Sequence, residues 1–541
     1  MKVSRRNFFG IAGSAGLVAA TASLGLIKLG PTASTGTILR SEVPLPQAFS
    51  QPLTLPTALH PTAGHLDLIQ QPATVEIIPG LPTEIWGFNG SFPGPTIMAN
   101  TGRPVTCNVR NQLPVPTVVH LHGGRTPADS DGYPTDLILP VGTDQDWTST
   151  RLTGNTADGS RAYHYPLNQR AATLWYHDHT MDFTGPNVYR GLAGLFIVSD
   201  EQEQNLPLPR GEHDLPLLIC DRAFAADGSF RYPALASDQS EPGVQGNYLA
   251  GVLGDVLLVN GVPWPRHPVD GARYRLRLLN ASNARRYEFA LDPPPPSGAA
   301  FVQIASDHGL LARPLSRNSV TLAPAERVEV VVDFAGYPVG SSVTLVNRLG
   351  EGGTAQVLRF DIVRAGADGS AIPAVLSRIE PLDPAGAAVT RTFAFQLARG
   401  SDPVAAGGHA GHAGRHNGGS QNGGSQNGGD GPGSMMWMVN GQPYDPSTDL
   451  ATPRFGDIEI WRLMTDLHHP VHLHLAPFQV LRRGGRAPGA GDLGWKDTID
   501  LIPGETAEII MRFDGYRGRY VFHCHNLEHE DMMMMANFTI V

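Results

Sequence analysis

The stretch His523-Cys524-His525-Asn526-Leu527-Glu528-His529 stands just before the run Met532-Met533-Met534-Met535. A thiolate, an imidazole and a weak thioether are the ligands of a blue-copper electron-transfer centre. On a β-strand, residues i and i+2 point to the same face, so the two histidines that flank Cys524 face away from its thiol. The stretch therefore predicts a strand that binds copper through its thiol on one face and further metal through two imidazoles on the other.

The composition favours a large protein built from strands and turns. The chain has 541 residues, of which 62 are glycine and 46 are proline. This length predicts three to four domains, and abundant Gly and Pro with few helix-period runs favours strands joined by turns. The formal net charge of −10 gives no reason to expect a nucleic-acid partner, because an acidic surface repels phosphates.

Residues 1–40 are predicted to be a twin-arginine-type signal and linker. Ser4-Arg5-Arg6-Asn7-Phe8-Phe9 precedes an uncharged, largely apolar stretch over residues 10–27. We expect export to the periplasm or the extracellular space, with no stable membrane insertion once the signal is removed. An N-terminal membrane anchor is the alternative, although the small residues of this stretch are marginal for a spanning helix. Besides Cys524, the chain has Cys107 and Cys220, whose apolar contexts favour buried free thiols over a bridge.

A threefold repeat divides the chain. Asn-Gly pairs follow an apolar residue at Asn89, Asn260 and Asn440, which are 171 and 180 residues apart, and an alternating strand follows each pair. Three copies of one β-sandwich unit explain this spacing. The predicted domains are residues 45–205, 212–368 and 385–541, the last with a low-complexity insert at about 402–434.

Histidine pairs distinguish the three copies. The first and third copies each carry two His-x-His motifs at matched positions, and the middle copy has Tyr287-Glu288-Phe289 in the corresponding region. The pairs are His120 and His122, His177 and His179, His472 and His474, and His523 and His525. They predict a polynuclear metal site where copies one and three meet. Asp178 stands where copy three has Cys524, so only copy three supplies a thiolate. Structural zinc fits less well, because it prefers four closed ligands that often include several thiolates.

Four longer motifs give the sequence a family resemblance. They are residues 88–96 (FNGSFPGPT), 120–134 (HLHGGRTPADSDGYP), 494–498 (GWKDT) and 518–531. The chain resembles the multicopper oxidases, which include laccases, bilirubin oxidases and cuprous oxidases, and is most similar to bacterial spore-coat-type laccases. The resemblance implies an all-β fold of three cupredoxin-like Greek-key β-sandwich domains, with a trinuclear copper site between domains 1 and 3.

The resemblance also implies a ligand set for four copper ions. The type 1 copper takes His469, Cys524, His529 and Met534; the type 2 copper takes His120 and His472; the two type 3 coppers take His122, His177, His179, His474, His523 and His525. By chemistry alone, Met533 or Met535 could replace Met534, and His468 stands beside His469. Leu475 departs from the family pattern, in which many laccases have Gly, and this puts local packing in doubt.

The expected activity is laccase-like. It couples one-electron oxidation of phenolic or related aromatic donors to reduction of dioxygen to water. By resemblance, Glu530 and Asp131 are the carboxyl groups that serve the oxygen site, and His529 is the type 1 ligand nearest the surface, where the organic donor arrives. A cuprous oxidase of copper tolerance and a bilirubin-type oxidase are the alternatives. A simple electron carrier or a nitrite reductase would not explain four histidine pairs in one chain. A monomer is expected.

The insert before copy three has an unusual composition. Residues 402–434 repeat Gly, Asn, Ser and Gln, which is typical of a flexible, solvated linker. His409, His412 and His416 allow a second interpretation, in which the segment collects copper loosely.

Overall fold

The structure is a computed structural model that describes residues 34–142, 154–367, 369–399 and 435–541. The predicted insert at 402–434 and most of the predicted signal lie outside the described residues. No helix within the described ranges is both long and apolar enough to cross a membrane.

The first domain is a sandwich of two sheets. In spatial order, one sheet contains Ser160–Tyr165, Val105–Asn111, His65–Val75 and Thr83–Phe88. The other contains Ala58–Leu59, Thr96–Asn100, Ala193–Ser199, Ala172–Asp178 and Val119–His122. Side chains from both sheets, such as Val109 and Phe196, meet in one buried core.

The second domain has the widest sheet of the described residues. Its strands are Val262–Pro263, Val256–Val259, Asp214–Arg222, Arg273–Asn280, Arg327–Asp333, Phe301–Ser306 and Gly309–Arg317. The facing sheet contains Arg266–Gly271, Gln356–Ala365, Ser342–Asn347, Tyr287–Asp292 and Val320–Leu322. Leu276 and Phe360 are among the core residues that the two sheets share.

The third domain repeats the sandwich. One sheet contains Met435–Val439, Ala387–Arg399, Ile458–Thr465, Thr506–Arg512 and Phe478–Arg483. The other contains Asp449–Ala451, Met535–Ile540, Gly518–Cys524, His469–Leu473 and Thr498–Leu501. Trp461 and Phe522, from opposite sheets, pack in its core. The predicted all-β fold of three sandwiches is confirmed.

Short elements join these sheets. Two-stranded sheets pair Thr37–Leu39 with Val252–Gly254, and Ile138–Leu139 with Ala157–Asp158. The α-helices of the described residues are Thr184–Arg190, Glu201–Gln204 and Leu527–Asp531. The first and the last of these helices contact each other, and they lie in domains 1 and 3.

The Asn-Gly repeat has one structural cause. In each domain the asparagine follows the second strand of an antiparallel pair and has a φ of 51° to 54°. This left-handed conformation is tolerated by asparagine better than by most residues. Its side-chain oxygen accepts a 2.8 Å hydrogen bond from a backbone N–H of the first strand, from Ile69 to Asn89, Leu218 to Asn260 and Ala394 to Asn440. The repeat in the sequence is therefore a repeated turn.

Candidate metal centres

Matching strands of domains 1 and 3 carry the histidines. In domain 1, Val119–His122 pairs with Ala172–Asp178, and His120 stands opposite His177. In domain 3, His469–Leu473 pairs with Gly518–Cys524, and His472 stands opposite His523. Because side chains alternate along a strand, each pair of strands presents its histidines to one face.

The two sets of histidines meet across the domain boundary. All eight are at most 1% exposed. Each ring of domain 1 has a close partner ring in domain 3, and the centroid distances are His120–His474 3.8 Å, His122–His472 3.6 Å, His177–His525 5.3 Å and His179–His523 5.0 Å. The histidine pairs that the sequence singled out therefore converge in one buried cluster, which we call the histidine cluster.

Several rings of the histidine cluster have one nitrogen held by the protein and one without a partner among the described residues. The Nδ1 atoms of His120, His177 and His472 lie 2.5, 2.8 and 2.9 Å from backbone carbonyls, and their Nε2 atoms have no protein partner. Metal-ligating histidines characteristically donate their second N–H in this way. These unpartnered imidazole nitrogens are suitable donors for copper ions.

The electrostatics of the cluster favour neutral rings. Burial, together with neighbouring imidazoles, holds the pKa of His120 and His474 well below the ordinary value, and lowers that of His177 to about 3. A neutral imidazole is the form that binds a metal. Ligand atoms lie within 4.8 Å of one another in four overlapping sets, which are His120, His122 and His177; His120, His472 and His474; His179, His474 and His523; and His122, His472 and Asp497.

A second, smaller site lies on the other face of the strand. Cys524 Sγ lies 3.3 Å from His469 Nδ1 and 3.6 Å from His529 Nδ1, and the two Nδ1 atoms are 3.1 Å apart. Burial raises the pKa of the Cys524 thiol well above its ordinary value, so the thiol keeps its proton when no metal is bound. A metal ion that binds the sulfur displaces this proton and leaves a thiolate. These three residues fit a single soft metal ion such as copper.

The neighbouring candidates differ in their packing. Met534 is fully buried in the domain 3 core together with Cys524, whereas Met533 and Met535 pack in a separate cluster with Tyr444. His468 belongs to none of the sets of close ligand atoms among the described residues, and its Nδ1 lies 4.0 Å from an oxygen of Asp500. The first observation favours Met534 over Met533 and Met535, and the second favours His469 over His468.

Domain 1 fills the place of the thiol with a carboxyl group. Asp178 stands opposite Val119, as Cys524 stands opposite Val471. Its oxygens accept hydrogen bonds from Thr180, Asn187 and the backbone of Val118. This side chain therefore ties strands and turns together, in agreement with the expectation that copy one lacks the thiolate site.

Leu475 follows His474 with a φ of 62°, a region that glycine adopts without steric cost. Its side chain is buried in the domain 3 core. Leu475 therefore combines a strained backbone conformation with a buried apolar side chain.

His529 is covered by neighbouring groups. By resemblance it was expected to be the type 1 ligand nearest the surface, where the donor arrives, and its ring is fully buried. The indole of Trp437 stacks on it with a centroid distance of 3.7 Å, and His529 Nε2 lies 3.2 Å from the carbonyl oxygen of Ala250 in domain 2. Trp437 Nε1 donates to the carbonyl of Leu249 at 3.2 Å, which fixes this cover in place.

The two carboxyl groups implied by resemblance both contact the histidine cluster. Asp131 Oδ2 lies 2.7 Å from His474 Nδ1, and burial raises its pKa well above the ordinary value. Glu530 lies 3.0 Å from His523 Nδ1 and 3.6 Å from His179 Nδ1. Burial alone would raise the pKa of Glu530, but the two imidazoles hold it below its ordinary value. The histidine cluster thus contacts one carboxyl group with a raised pKa, Asp131, and one with a lowered pKa, Glu530.

Asp497 is a contact that the sequence analysis missed. One of its carboxylate oxygens lies 3.1 Å from His122 Nε2, and its backbone carbonyl lies 2.9 Å from His472 Nδ1. The residue belongs to the GWKDT motif, so the motif was noticed but its contact was not. Trp437 was missed too, because a single tryptophan before an Asn-Gly turn has no distinctive spacing.

Comparisons with known proteins agree with this geometry. The family described as "Multicopper oxidase" matches residues 70–203 and 420–541. A laccase of Bacillus stratosphericus is 34% identical, covering 92% of this chain and 98% of its own length. A laccase of Bacillus subtilis (strain 168) is 37% identical, covering 85% of this chain and 90% of its own. The crystal structure of a multi-copper oxidase from Pediococcus acidilactici is 28% identical, with a TM-score of 0.74 and 93% of each chain covered.

The chain therefore belongs to the multicopper oxidase family, and its three sandwiches are cupredoxin-like. It is an oxidoreductase that binds copper and uses dioxygen as electron acceptor. This confirms the class of enzyme that the family resemblance implied.

Proposed function

We propose that the protein is an exported laccase-like oxidase that oxidises phenolic or related aromatic donors one electron at a time and reduces dioxygen to water. The observation that carries this proposal is the position of Cys524. It contacts His469 and His529 on one side, and its chain neighbours His523 and His525 belong to the histidine cluster. A site for single electrons is therefore covalently joined to a site able to hold several.

We propose one type 1, one type 2 and two type 3 copper ions per chain. His469, Cys524 and His529 would hold the type 1 ion with Met534 as a weaker fourth ligand, and His120 and His472 would hold the type 2 ion. The type 3 ligands are His122, His177, His179, His474, His523 and His525. When bound, copper supplies the one-electron acceptor for the donor and the redox centre for dioxygen.

The route of the electron follows from the cover over His529. Trp437 and the backbone at residues 249 and 250 separate the imidazole from a donor outside. A donor therefore transfers its electron across this thin layer without coordinating the metal. Transfer of this kind tolerates donors of many shapes, so we propose a broad range of aromatic substrates.

Proton delivery is assigned to the two buried carboxyl groups. Glu530 is linked to Thr184 by a 2.9 Å hydrogen bond and faces His179 and His523. Asp131 faces His474 and lies 3.8 Å from His120 Nδ1. Reduction of dioxygen to water consumes protons, and a buried site has to receive them from groups of this kind.

A donor panel tests the proposed substrate class. Copper-loaded protein is mixed with phenols, bilirubin and cuprous ion while oxygen uptake is recorded. The proposal expects turnover with several phenols in step with oxygen consumption. Turnover confined to one non-phenolic donor, or no oxygen uptake with phenols, would refute it.

A cuprous oxidase is a second candidate because thioethers lie close in sequence to the type 1 ligand His529 and its cover Trp437. Met436 precedes Trp437, Met532 and Met533 follow His529 by three and four residues, and all three are half-buried. Thioether sulfur is a preferred ligand of Cu(I). Strong stimulation by added copper, and oxidation of Cu(I) faster than any phenol, would favour this activity.

Export by the twin-arginine route is proposed from the Ser4-Arg5-Arg6 pattern. Replacement of Arg5 and Arg6 by Lys is expected to leave the protein in the cytoplasm, which cell fractionation measures; unchanged export would refute the route. We also propose a monomer, since one chain supplies every ligand of both centres. Light scattering during size-exclusion chromatography tests that state.

A further inference from the structure

The sets of close metal-binding atoms draw on domains 1 and 3, yet domain 2 sends a guanidinium group to the same place. Arg327 begins the strand Arg327–Asp333 and is fully buried. The family resemblance and the histidine motifs assign this residue no part. Its contacts show what it does for the histidine cluster.

Arg327 uses all of its N–H donors. Nη1 and Nη2 donate to the two carboxylate oxygens of Asp497 at 2.7 and 2.6 Å. The remaining donors reach the carbonyls of Thr173, Ala325 and Asp307 at 3.0 to 3.1 Å. A guanidinium has five N–H groups in a rigid fork, so this residue has one orientation and no spare donor.

Asp497 passes that orientation to two rings of the cluster. Its Oδ1 accepts from His122 Nε2 at 3.1 Å, and its backbone oxygen accepts from His472 Nδ1 at 2.9 Å. His122 therefore keeps its Nδ1 unpartnered, whereas His472 keeps its Nε2 unpartnered. The contact decides which nitrogen each ring presents to a metal.

The surrounding charges make Arg327 hard to replace. Lys496 lies 3.0 Å from Asp307 and from Glu326, and Asp307 accepts from the backbone N–H of Arg327. Two cations thus face three acids, namely Asp307, Glu326 and Asp497, in a buried network. Loss of Arg327 leaves Lys496 facing three carboxyl groups, and Asp497 then has only imidazoles, such as that of His308 at 3.0 Å, in place of its guanidinium. A buried charge that loses its ion-pair partner is costly.

We propose that Arg327 is a positioning residue of the trinuclear copper site, which fixes Asp497 and thereby the metal-facing nitrogens of His122 and His472. The proposal rests on the copper assignment proposed above. Arg327 thus gives the middle domain, which has no His-x-His pair, a direct part in shaping the site.

The experiment compares Arg327→Gln and Arg327→Lys with the matched control Arg275→Lys. Arg275 is also a buried arginine of domain 2 and is paired with Glu329 and Glu203, but it makes no contact with Asp497 or the histidine cluster among the described residues. Copper content, the blue absorption of the type 1 site and the paramagnetic resonance of type 2 copper are measured on each purified protein.

Arg327→Gln is expected to keep the blue absorption and to bind type 2 copper about 10- to 100-fold more weakly, as is usual when a partner of a metal ligand is removed. Arg327→Lys keeps the charge but loses the paired hydrogen bonds, so its loss should be smaller, and Arg275→Lys should match the unmodified protein. If Arg327→Gln does not fold, the result for Arg327→Lys decides in the same way.

Full type 2 copper with an unchanged resonance in folded Arg327 variants would overturn the inference. So would a failure of both variants to fold beside a folded Arg275→Lys, since the role would then be purely structural. A lack of type 2 and type 3 copper in the unmodified protein would instead refute the proposed function itself.

Discussion

The imidazole rings of His122 and His472 stack with a centroid distance of 3.6 Å across the boundary between the first and third domains. Neither domain alone can build this contact, and the shared partner Asp497 holds both rings. The histidine cluster therefore forms only when the first and third domains pack against each other. Copper binding should stabilise the arrangement of these two domains, because a ligand that binds only the folded state raises its stability.

Replacement of Cys524 by Ser should abolish the blue thiolate-to-copper absorption and donor oxidation. The hydroxyl is a poor copper ligand, whereas the eight histidines of the cluster remain. Absorption spectroscopy and copper analysis are expected to show loss of about one ion per chain. Cys107→Ala is the control, because Cys107 is a buried free thiol of domain 1. A Cys524→Ser protein that stayed blue and active would refute the type 1 assignment.

Glu530→Gln should slow oxygen reduction about 100-fold while the blue colour is retained, because a side-chain amide cannot hold and release a proton. Its hydrogen bond from Thr184 can persist, so the fold should be kept. Reoxidation of the fully reduced enzyme is followed by stopped-flow absorption. Glu528→Gln is the matched control, since Glu528 contacts Tyr232 and Asn283 instead of the cluster. Normal reoxidation of Glu530→Gln across pH would remove the proposed role.

Trp437→Ala should lower the reduction potential of the type 1 site. The indole covers His529, and water admitted in its place stabilises the more highly charged Cu(II) state. Trp437→Phe keeps an aromatic cover but loses the hydrogen bond to Leu249, so its potential should change less. Redox titration of the blue band measures both. Equal potentials in all three proteins would show that the cover does not matter.

Asp182→Asn should stabilise the copper-free protein at neutral and alkaline pH. Burial raises the pKa of Asp182 from 3.8 to about 7, and its Oδ1 has no hydrogen-bond partner among the described residues. The folded state thus binds the proton more tightly, and stability is lost as pH rises from about 4 to about 7. The residue has a φ of 70°, which asparagine tolerates.

The gain from Asp182→Asn should be near zero at pH 4 and about 1–2 kcal/mol at pH 8, since part of the residue remains exposed to solvent. Thermal unfolding at both pH values measures it. The exposed Asp158→Asn serves as control. A gain that is equal at both pH values would contradict the assignment of the titrating group.

Local patterns in the sequence predicted most of the fold and the meeting of the histidine pairs, whereas the assignment of ligands to individual copper ions came from the family resemblance and stays a prediction. The Asn-Gly turns recur because each needs a residue with a positive φ whose side chain accepts a hydrogen bond from the neighbouring strand. Asparagine meets both needs, so the turn can be recognised in the sequence. The histidines could be aligned because strand alternation fixes their faces. Equal spacing in two copies then predicted that the pairs would meet.

The contacts that were missed join residues far apart in the chain. Arg327 reaches Asp497 over 170 positions, and the carbonyl of Ala250 reaches His529 over 279. A contact made by a backbone carbonyl does not depend on the residue type, so the sequence carries no sign of it. A single arginine that belongs to no repeated motif is equally hard to recognise. Such contacts depend on how whole domains pack, so only the structure could supply them.

The ratio of donor oxidised to dioxygen consumed tests the central claim most directly, because only a joined mononuclear site and cluster can collect single electrons for complete reduction. Copper-loaded protein is given a one-electron phenolic donor in an oxygen electrode with a peroxide assay. The account predicts four donor molecules per dioxygen and no hydrogen peroxide. A ratio of two with accumulating peroxide, or oxidation of the donor without oxygen uptake, would contradict it.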